Sequence, residues 1–134
     1  MRGVFCLLVC VATTSVGAEE PKFVNPLIIG YGAIAPQPTA AEQPRKGVRI
    51  VFDITSEAKP DELNKGLESV ARYLNLNAQA GHAPSDVRLA LVLHGPATKA
   101  ALSDAAYASK TGSTENPKLS LVRELKKHGV AVFV

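Results

Sequence analysis

An apolar run that ends at a sharp turn constrains the fold of this chain more than any other feature. Val87 to Ser103 reads VRLALVLHGPATKAALS: Leu89 to Leu93 are all apolar, and an alanine-rich segment follows His94, Gly95 and Pro96. A short, continuously apolar strand is typical of a parallel sheet that helices cover on both faces. The segment therefore predicts a strand, a tight turn and a helix.

The predicted turn places His94 where ligands usually bind in folds of this type. In an open α/β sheet, the binding crevice lies outside the carboxyl ends of the strands. His94, Gly95 and Pro96 are therefore the candidate ligand-binding residues. His94 is also the candidate for catalysis, because an imidazole exchanges protons near neutral pH. A hydrogen bond to the backbone of a neighbouring loop explains His94 equally well, and Gly95 and Pro96 are also explained as turn formers.

Composition limits the classes of function. The 134 residues suit one globular domain, with 46% hydrophobic and 20% charged residues. The formal charge of +3 comes from scattered lysines and arginines, so we expect no nucleic-acid partner. The chain contains no GxSxG, HExxH, GxGxxG or Walker motif, and its three histidines have no metal-ligand spacing. We therefore expect neither a metal nor a cofactor.

Residues 1–18 have the pattern of a secretory signal peptide. Arg2 precedes an apolar run from Val4 to Ala12, and the small residues that end at Ala18 suit cleavage there. The run is shorter than the roughly 20 residues that span a bilayer. We expect a periplasmic or secreted protein without membrane attachment after cleavage. Cleavage at a lipoprotein box before Cys10 is a weaker alternative, because Val9 is large for that motif.

Residues 19–46 form a leader or arm that is rich in proline and alanine. The segment Phe23 to Ile34, FVNPLIIGYGAI, carries too many large apolar residues for a simple spacer. It either packs along its own domain or contacts another subunit. We favour the first alternative, since exposed apolar runs are normally covered locally.

Residues 47–134 form the α/β domain. Asp53 is the polar exception in its first strand, and we interpret it as a carboxylate that accepts hydrogen bonds from the following turn rather than as a catalytic acid. His82 is interpreted as an exposed loop residue. The predicted elements are a strand over 48–55, a helix from Pro60 to Gly81, a strand over 87–93, a helix capped by Thr98 that runs to about Ser109, a helix from Asn116 to Gly129 and a strand over 130–134.

Several stretches of this domain resemble the exported branch of the DsrE/DsrF-like family. They are VFDITSEAKPDELNKGLESVARYLNL, DVRLALVLHGPATKAALSDAAY and NPKLSLVRELKKHGVAVFV, in that order, and the leader sequence NPLIIGYGAI is also similar. The resemblance implies a three-layer α/β/α domain with a parallel sheet. It also implies a homo-oligomer or an assembly with related DsrE-like subunits, and a role in sulfur relay or sulfur oxidation.

Sulfur-carrying members of the family hold a persulfide on a cysteine that follows the third strand, whereas this sequence stops at Val134. Its two cysteines, Cys6 and Cys10, lie in the predicted signal peptide. We therefore expect an exported DsrE-like protein connected with sulfur-compound handling. Its domain would be incomplete at the C-terminal side, its mature form would lack the acceptor cysteine, and it would not be an enzyme by itself. The alternative is a non-catalytic binding or oligomeric assembly module. An independent hydrolase is least favoured, because no pair of nucleophile and base is visible.

Overall fold

The computed structural model describes Glu20 and residues 22–134. The predicted signal peptide lies outside these residues. The elements are β1 (Arg49–Ile54), α1 (Lys65–Gln79), β2 (Arg88–Leu93), α2 (Asp104–Thr111), α3 (Leu119–Lys127) and β3 (Ala131–Phe133). Short 3-10 helices cover Pro84–Asp86 and Gly95–Ala101. The predicted order of strand, helix, strand, two helices and strand is therefore confirmed.

The three strands form one parallel sheet in the spatial order β1-β2-β3. Ile54 lies opposite Leu93 at the carboxyl ends of β1 and β2, and Val92 lies opposite Phe133. The domain is thus a mixed α/β fold with a small parallel sheet. None of the helices that the structure describes is long and apolar enough to span a membrane.

Only one face of this sheet is covered by the described helices. On that face Leu89, Leu91 and Leu93 are buried, whereas the alternate residues Ala90 and Val92 are partly exposed. The prediction that helices cover β2 on both faces is therefore wrong for the described chain. The reason is topological: when strands pair in chain order, right-handed crossovers place every connecting helix on the same side. We call the other side the open face; it consists of Arg49, Val51, Asp53, Arg88, Ala90, Val92, Ala131 and Phe133.

The core lies between the covered face and the helices α1 and α3. Leu67 and Leu74 of α1 and Leu121 and Leu125 of α3 are at most 1% exposed. Each such leucine stabilises the fold by about 1.5–3 kcal/mol through burial. Gly66 allows the close contact of α1 with β1, because a Cβ atom there would lie 2.7 Å from Ile54 Cδ1.

The first helix begins at Lys65, so the prediction of a helix from Pro60 is wrong. Asn64 caps α1: its Oδ1 accepts hydrogen bonds from the backbone N–H groups of Gly66 (2.8 Å) and Leu67 (3.3 Å). The carbonyl of Pro60 accepts hydrogen bonds from the side chains of Lys118 and Tyr107. These tertiary contacts hold residues 55–64 as a loop.

The predicted helix after His94 is divided into two pieces. Thr98 does not cap it; its Oγ1 donates to the carbonyl of Gly95 (2.7 Å) inside the 3-10 helix Gly95–Ala101. Ser103 caps α2 instead, since its hydroxyl accepts from the backbone N–H of Ala106. The sequence pattern of this alanine-rich segment does not distinguish one continuous helix from a short 3-10 helix followed by a second helix that Ser103 caps.

The last helix begins at Leu119 rather than at Asn116. The Nδ2 atom of the buried Asn116 side chain donates to the carbonyls of Lys99, Ala100 and Leu102, at 3.3, 3.1 and 2.8 Å. Asn116 therefore joins the start of α3 to the 3-10 helix, and the helix begins after this contact.

The apolar leader segment packs on α1, as predicted. Val24 and Ile34 form an isolated antiparallel bridge, and the side chain of Ile28 is fully buried. Asn75 of α1 holds the intervening loop: its Oδ1 accepts from the backbone N–H groups of Leu27 and Ile28, and its Nδ2 donates to the carbonyls of Tyr31 and Gly32. The leader is therefore part of the folded domain.

Candidate functional site

Asp53 and His94 form a carboxylate–imidazole pair at the carboxyl edge of the sheet. The backbone N–H of His94 donates to the carbonyl of Ile54 (2.9 Å), so His94 continues the pairing of β1 and β2 by one step. His94 Nδ1 lies 3.5 Å from Asp53 Oδ1, and each side chain is 57% exposed. No hydrogen bond within the described chain engages His94 Nε2. The pair thus presents one imidazole nitrogen to solvent.

Asp53 is the functional candidate that the sequence interpretation missed. None of the described backbone amides donates a hydrogen bond to its carboxylate, so the interpretation as an acceptor for the following turn is wrong. The sequence did contain a signal for this pair, because Asp53 and His94 lie near the ends of two predicted strands. The ends of neighbouring parallel strands lie at the same edge of a sheet. In the register of β1 and β2, Asp53 lies opposite Val92, and the side chain of His94 reaches Asp53 from two residues further along.

Gly95 and Pro96 lie next to the pair and shape the turn. The φ angle of Gly95 is +49°, in the left-handed region that favours glycine, and Pro96 begins the 3-10 helix. Both residues are exposed. Their role as turn formers is therefore supported, and they border the space beside His94.

A second ion pair stands at the same edge. Lys99 Nζ lies 2.7 Å from Glu57 Oε2, and the two side chains are 40% and 47% exposed. Glu57 follows β1 and Lys99 follows β2, so the two loops meet beyond the strand ends. The edge therefore presents two carboxylates, an ammonium group and an imidazole to solvent.

The space near these groups is open rather than enclosed. A depression of about 280 Å³ borders Glu57, Lys59 and Asn64, and a gap of about 10 Å³ lies between Pro96, Lys99 and Lys118. Buried sites for drug-sized ligands span about 300–1,000 Å³. A larger depression, about 430 Å³, lies between the leader and α1, away from His94. The edge therefore suits a small ligand or part of a partner.

The other two histidines lie elsewhere. The prediction that His82 is exposed is wrong, since its side chain is partly buried. Its Nδ1 lies 3.3 Å from Asn77 Oδ1. His128 at the end of α3 has its Nε2 3.7 Å from Glu124 Oε2. Among residues 20 and 22–134, no group of three histidine, cysteine or acidic side chains could hold a metal ion.

No family model, curated protein or solved structure matches this chain. Support for a function within the structure therefore comes from the geometry of the carboxyl edge.

Proposed function

We propose that this chain is an exported DsrE-like protein that binds a sulfur compound at the carboxyl edge of its sheet, where His94 exchanges the proton of a thiol. The observation that carries the proposal is the contact between His94 Nδ1 and Asp53 Oδ1, at 3.5 Å, where two parallel strands end. Ligands of open α/β sheets bind at this edge. The resemblance to the DsrE/DsrF-like family supplies the sulfur chemistry.

The pair of side chains suits proton exchange with sulfur. A carboxylate beside Nδ1 favours the Nδ1–H tautomer, so that Nε2 is the free acceptor. A thiol that gives its proton to Nε2 becomes a thiolate, the form that attacks sulfur. When the thiolate attacks the outer sulfur of a persulfide, the sulfur–sulfur bond of the donor breaks and the donor leaves as a thiolate. That leaving thiolate takes the proton from His94.

The sulfur atoms in this scheme lie outside residues 19–134, which contain no cysteine. The two cysteines of the sequence, Cys6 and Cys10, lie in the predicted signal peptide. The ligand is therefore a small thiol or persulfide, or the cysteine of a related DsrE-like subunit. Gly95 and Pro96 would border it, and Lys99 offers positive charge beside it, partly neutralised by Glu57.

The finer features of the family belong to the same proposal. They are the periplasmic or secreted location, the assembly with like or related subunits, and the three-layer α/β/α arrangement. The third layer would require helices on the open face. The structure describes two layers, the sheet and the helices that cover one of its faces. These two layers and the uncovered second face are compatible with that arrangement.

A second candidate function is a non-catalytic assembly module. The observation that favours it is the open face, where the side chains of Val51 and Phe133 are 67% and 57% exposed. Uncovered apolar patches of this kind mark interaction sites in soluble proteins. An assembly module needs this face and does not need His94.

The proposal is tested by titrating the isotope-labelled protein with glutathione persulfide and following the backbone amide signals by NMR. We expect shifts at His94 and Gly95, and their loss in the variant His94→Ala. The matched control is His82→Ala, which changes a histidine away from this edge and should preserve the shifts. Equal shifts in His94→Ala, or shifts confined to another surface, would contradict the proposal.

A further inference from the structure

A small gap between the loops that follow β1 and β2 is bordered by two lysine side chains. Lys99 and Lys118 line this gap, together with Glu57 and Tyr107. Its volume of about 10 Å³ is close to the space that one water molecule needs. The structure therefore places two ammonium groups beside a gap that is almost filled by the surrounding side chains.

The charge of Lys118 is not balanced by a carboxylate. Its side chain is 3% exposed, and no ion pair within the described chain engages it. Nζ donates to neutral oxygens, which are the carbonyls of Lys59 and Pro60 and the hydroxyl of Tyr107. Buried charges in proteins are normally paired with an opposite charge. The field of this ammonium group therefore favours an anion in the gap.

Glu57 is the acidic residue at the gap, and it is paired with Lys99. Its Oε2 lies 2.7 Å from Lys99 Nζ, and its side chain is 47% exposed. Exposed ion pairs of this kind contribute little to stability, because water competes with both partners. An anion from solution can therefore replace the carboxylate of Glu57 at Lys99 at a small cost in free energy.

The loop that carries Glu57 separates the gap from the larger depression of about 280 Å³. Glu57, Ala58 and Asn64 border both spaces. Asn64 is buried and held in place, because its side chain caps α1. The side chain of Glu57 is exposed, so its movement is the smallest change that joins the gap to the depression. An anion in the depression would then reach the two lysines.

We propose that Lys99 and Lys118 form a binding site for a compact oxyanion with two negative charges, such as sulfate or a phosphate group, and that Glu57 occupies the site as a competitor within the chain. Two ammonium groups balance a dianion, whereas the single carboxylate of Glu57 balances only Lys99. Lys99 would contact the anion directly. Lys118 would act through its charge, because neutral oxygens already use its donors. The site does not depend on the proposed function, since it needs neither a thiol nor proton exchange at His94.

A titration with sodium sulfate, at an ionic strength held constant with sodium chloride, tests the site. We would follow the backbone amide and lysine Cε signals of the isotope-labelled full chain, as the expression host processes it, by NMR. The amides of Ala58 and Lys99 and the Cε signal of Lys118 should shift and reach saturation. The Cε signal of Lys126, an exposed lysine near the end of α3, should not move.

Two substitutions of exposed residues change the affinity in opposite directions. Glu57→Gln should lower the Kd for sulfate about fivefold, because it removes the competing carboxylate. Lys99→Met should raise this Kd by about tenfold or more, because it removes the direct contact with the anion. Both positions are exposed at the surface, so neither variant should unfold the domain.

Glu62→Gln is the matched control. It removes one negative charge from the same loop, but Glu62 borders the depression and not the gap, and it pairs with Lys59. Its Kd for sulfate should equal that of the wild type. An equal gain of affinity in Glu62→Gln, an unchanged affinity in Lys99→Met, or a Lys118 signal that does not respond to sulfate would each overturn the proposal.

A comparison of inorganic phosphate with phenyl phosphate distinguishes the sources of the oxyanion. Tighter binding of phenyl phosphate would assign the site to an oxyanion group on an organic molecule, whose remainder lies in the depression. Equal binding would assign it to the free oxyanion, and failure of both to displace sulfate would overturn the site. None of these ligands contains a thiol, so failure here is distinguishable from failure of the titration with glutathione persulfide.

Discussion

Lys118 Nζ lies 2.6 Å from the hydroxyl oxygen of Tyr107, in a part of the domain where both side chains are almost completely buried. The same ammonium group donates to the carbonyls of Lys59 (2.7 Å) and Pro60 (2.6 Å). Its three donors are therefore all used. This contact joins α2 and α3 to the loop after β1, and it holds the loop that carries Glu57.

Lys118→Met should destabilise the domain by about 2–4 kcal/mol, because it leaves buried oxygens without their charged donor. Urea unfolding measures the change. The control Lys126→Met replaces an exposed lysine near the end of α3 and should change the free energy of unfolding by less than about 0.5 kcal/mol. Equal stability of the two variants would show that Lys118 contributes no more than a surface lysine.

Asn75→Ala should release the leader from α1. The substitution removes the four hydrogen bonds that the buried amide makes to residues 27–32. We expect faster hydrogen exchange at the amides of Leu27 and Ile28, which lose their acceptor, and a loss of stability of about 1–3 kcal/mol. Asn77→Ala is the control, since Asn77 is also buried but donates to Tyr73. Unchanged exchange at Leu27 and Ile28 in Asn75→Ala would contradict this account of the leader.

Lys46 should control the titration of Asp86. A hydrogen bond from Lys46 Nζ (3.0 Å), together with one from the backbone N–H of Ala83 (2.9 Å), holds the pKa of Asp86 below its ordinary value of 3.8. Lys46→Met should therefore raise the pKa of Asp86, as followed by carboxyl NMR. The variant Lys110→Met should leave it unchanged.

The sign of the effect on stability follows from the lowered pKa. Because folding favours the ionised carboxylate, the contribution of Asp86 is complete above the unfolded pKa and is lost as the pH falls through the folded value. The difference in stability between wild type and Lys46→Met should accordingly shrink below about pH 4. A difference that grows in acid would contradict the assignment.

The segment of residues 19–134 should not carry sulfur covalently, because it contains no cysteine. Cleavage after Ala18 would remove Cys6 and Cys10, and a persulfide requires a thiol. The intact mass should correspond to a chain that begins at Glu19 and should not increase after incubation with a persulfide donor. Added sulfur would show that the signal peptide is cut elsewhere or retained.

The order of strands and helices along the chain and the carboxyl edge were predictable because each depends on local pattern. The apolar run Leu89 to Leu93, followed by Gly95 and Pro96, determines a strand and a turn without reference to the rest of the chain. The helix boundaries were less predictable, because they depend on distant partners. The contact of Lys118 with the carbonyl of Pro60 joins residues 58 positions apart, and no local pattern contains it.

The uncovered face was missed for a related reason. Apolar residues at Ala90 and Val92 are equally consistent with a covered face and with an interaction surface. The spatial order of the strands decides between these two possibilities. That order depends on contacts between distant segments and not on local sequence pattern. Likewise Asp53 gains a partner only when β1 and β2 are placed in register.

The central claim is that Asp53 holds the imidazole of His94 so that Nε2 faces a sulfur ligand. Nitrogen NMR of the imidazole, recorded with and without glutathione persulfide, tests it most directly. We predict that neutral His94 is the Nδ1–H tautomer, that this preference is lost in Asp53→Ala, and that the Nε2 signal moves when the ligand is added. An Nε2–H tautomer in the free wild-type protein, with imidazole signals unchanged by the ligand, would contradict the claim.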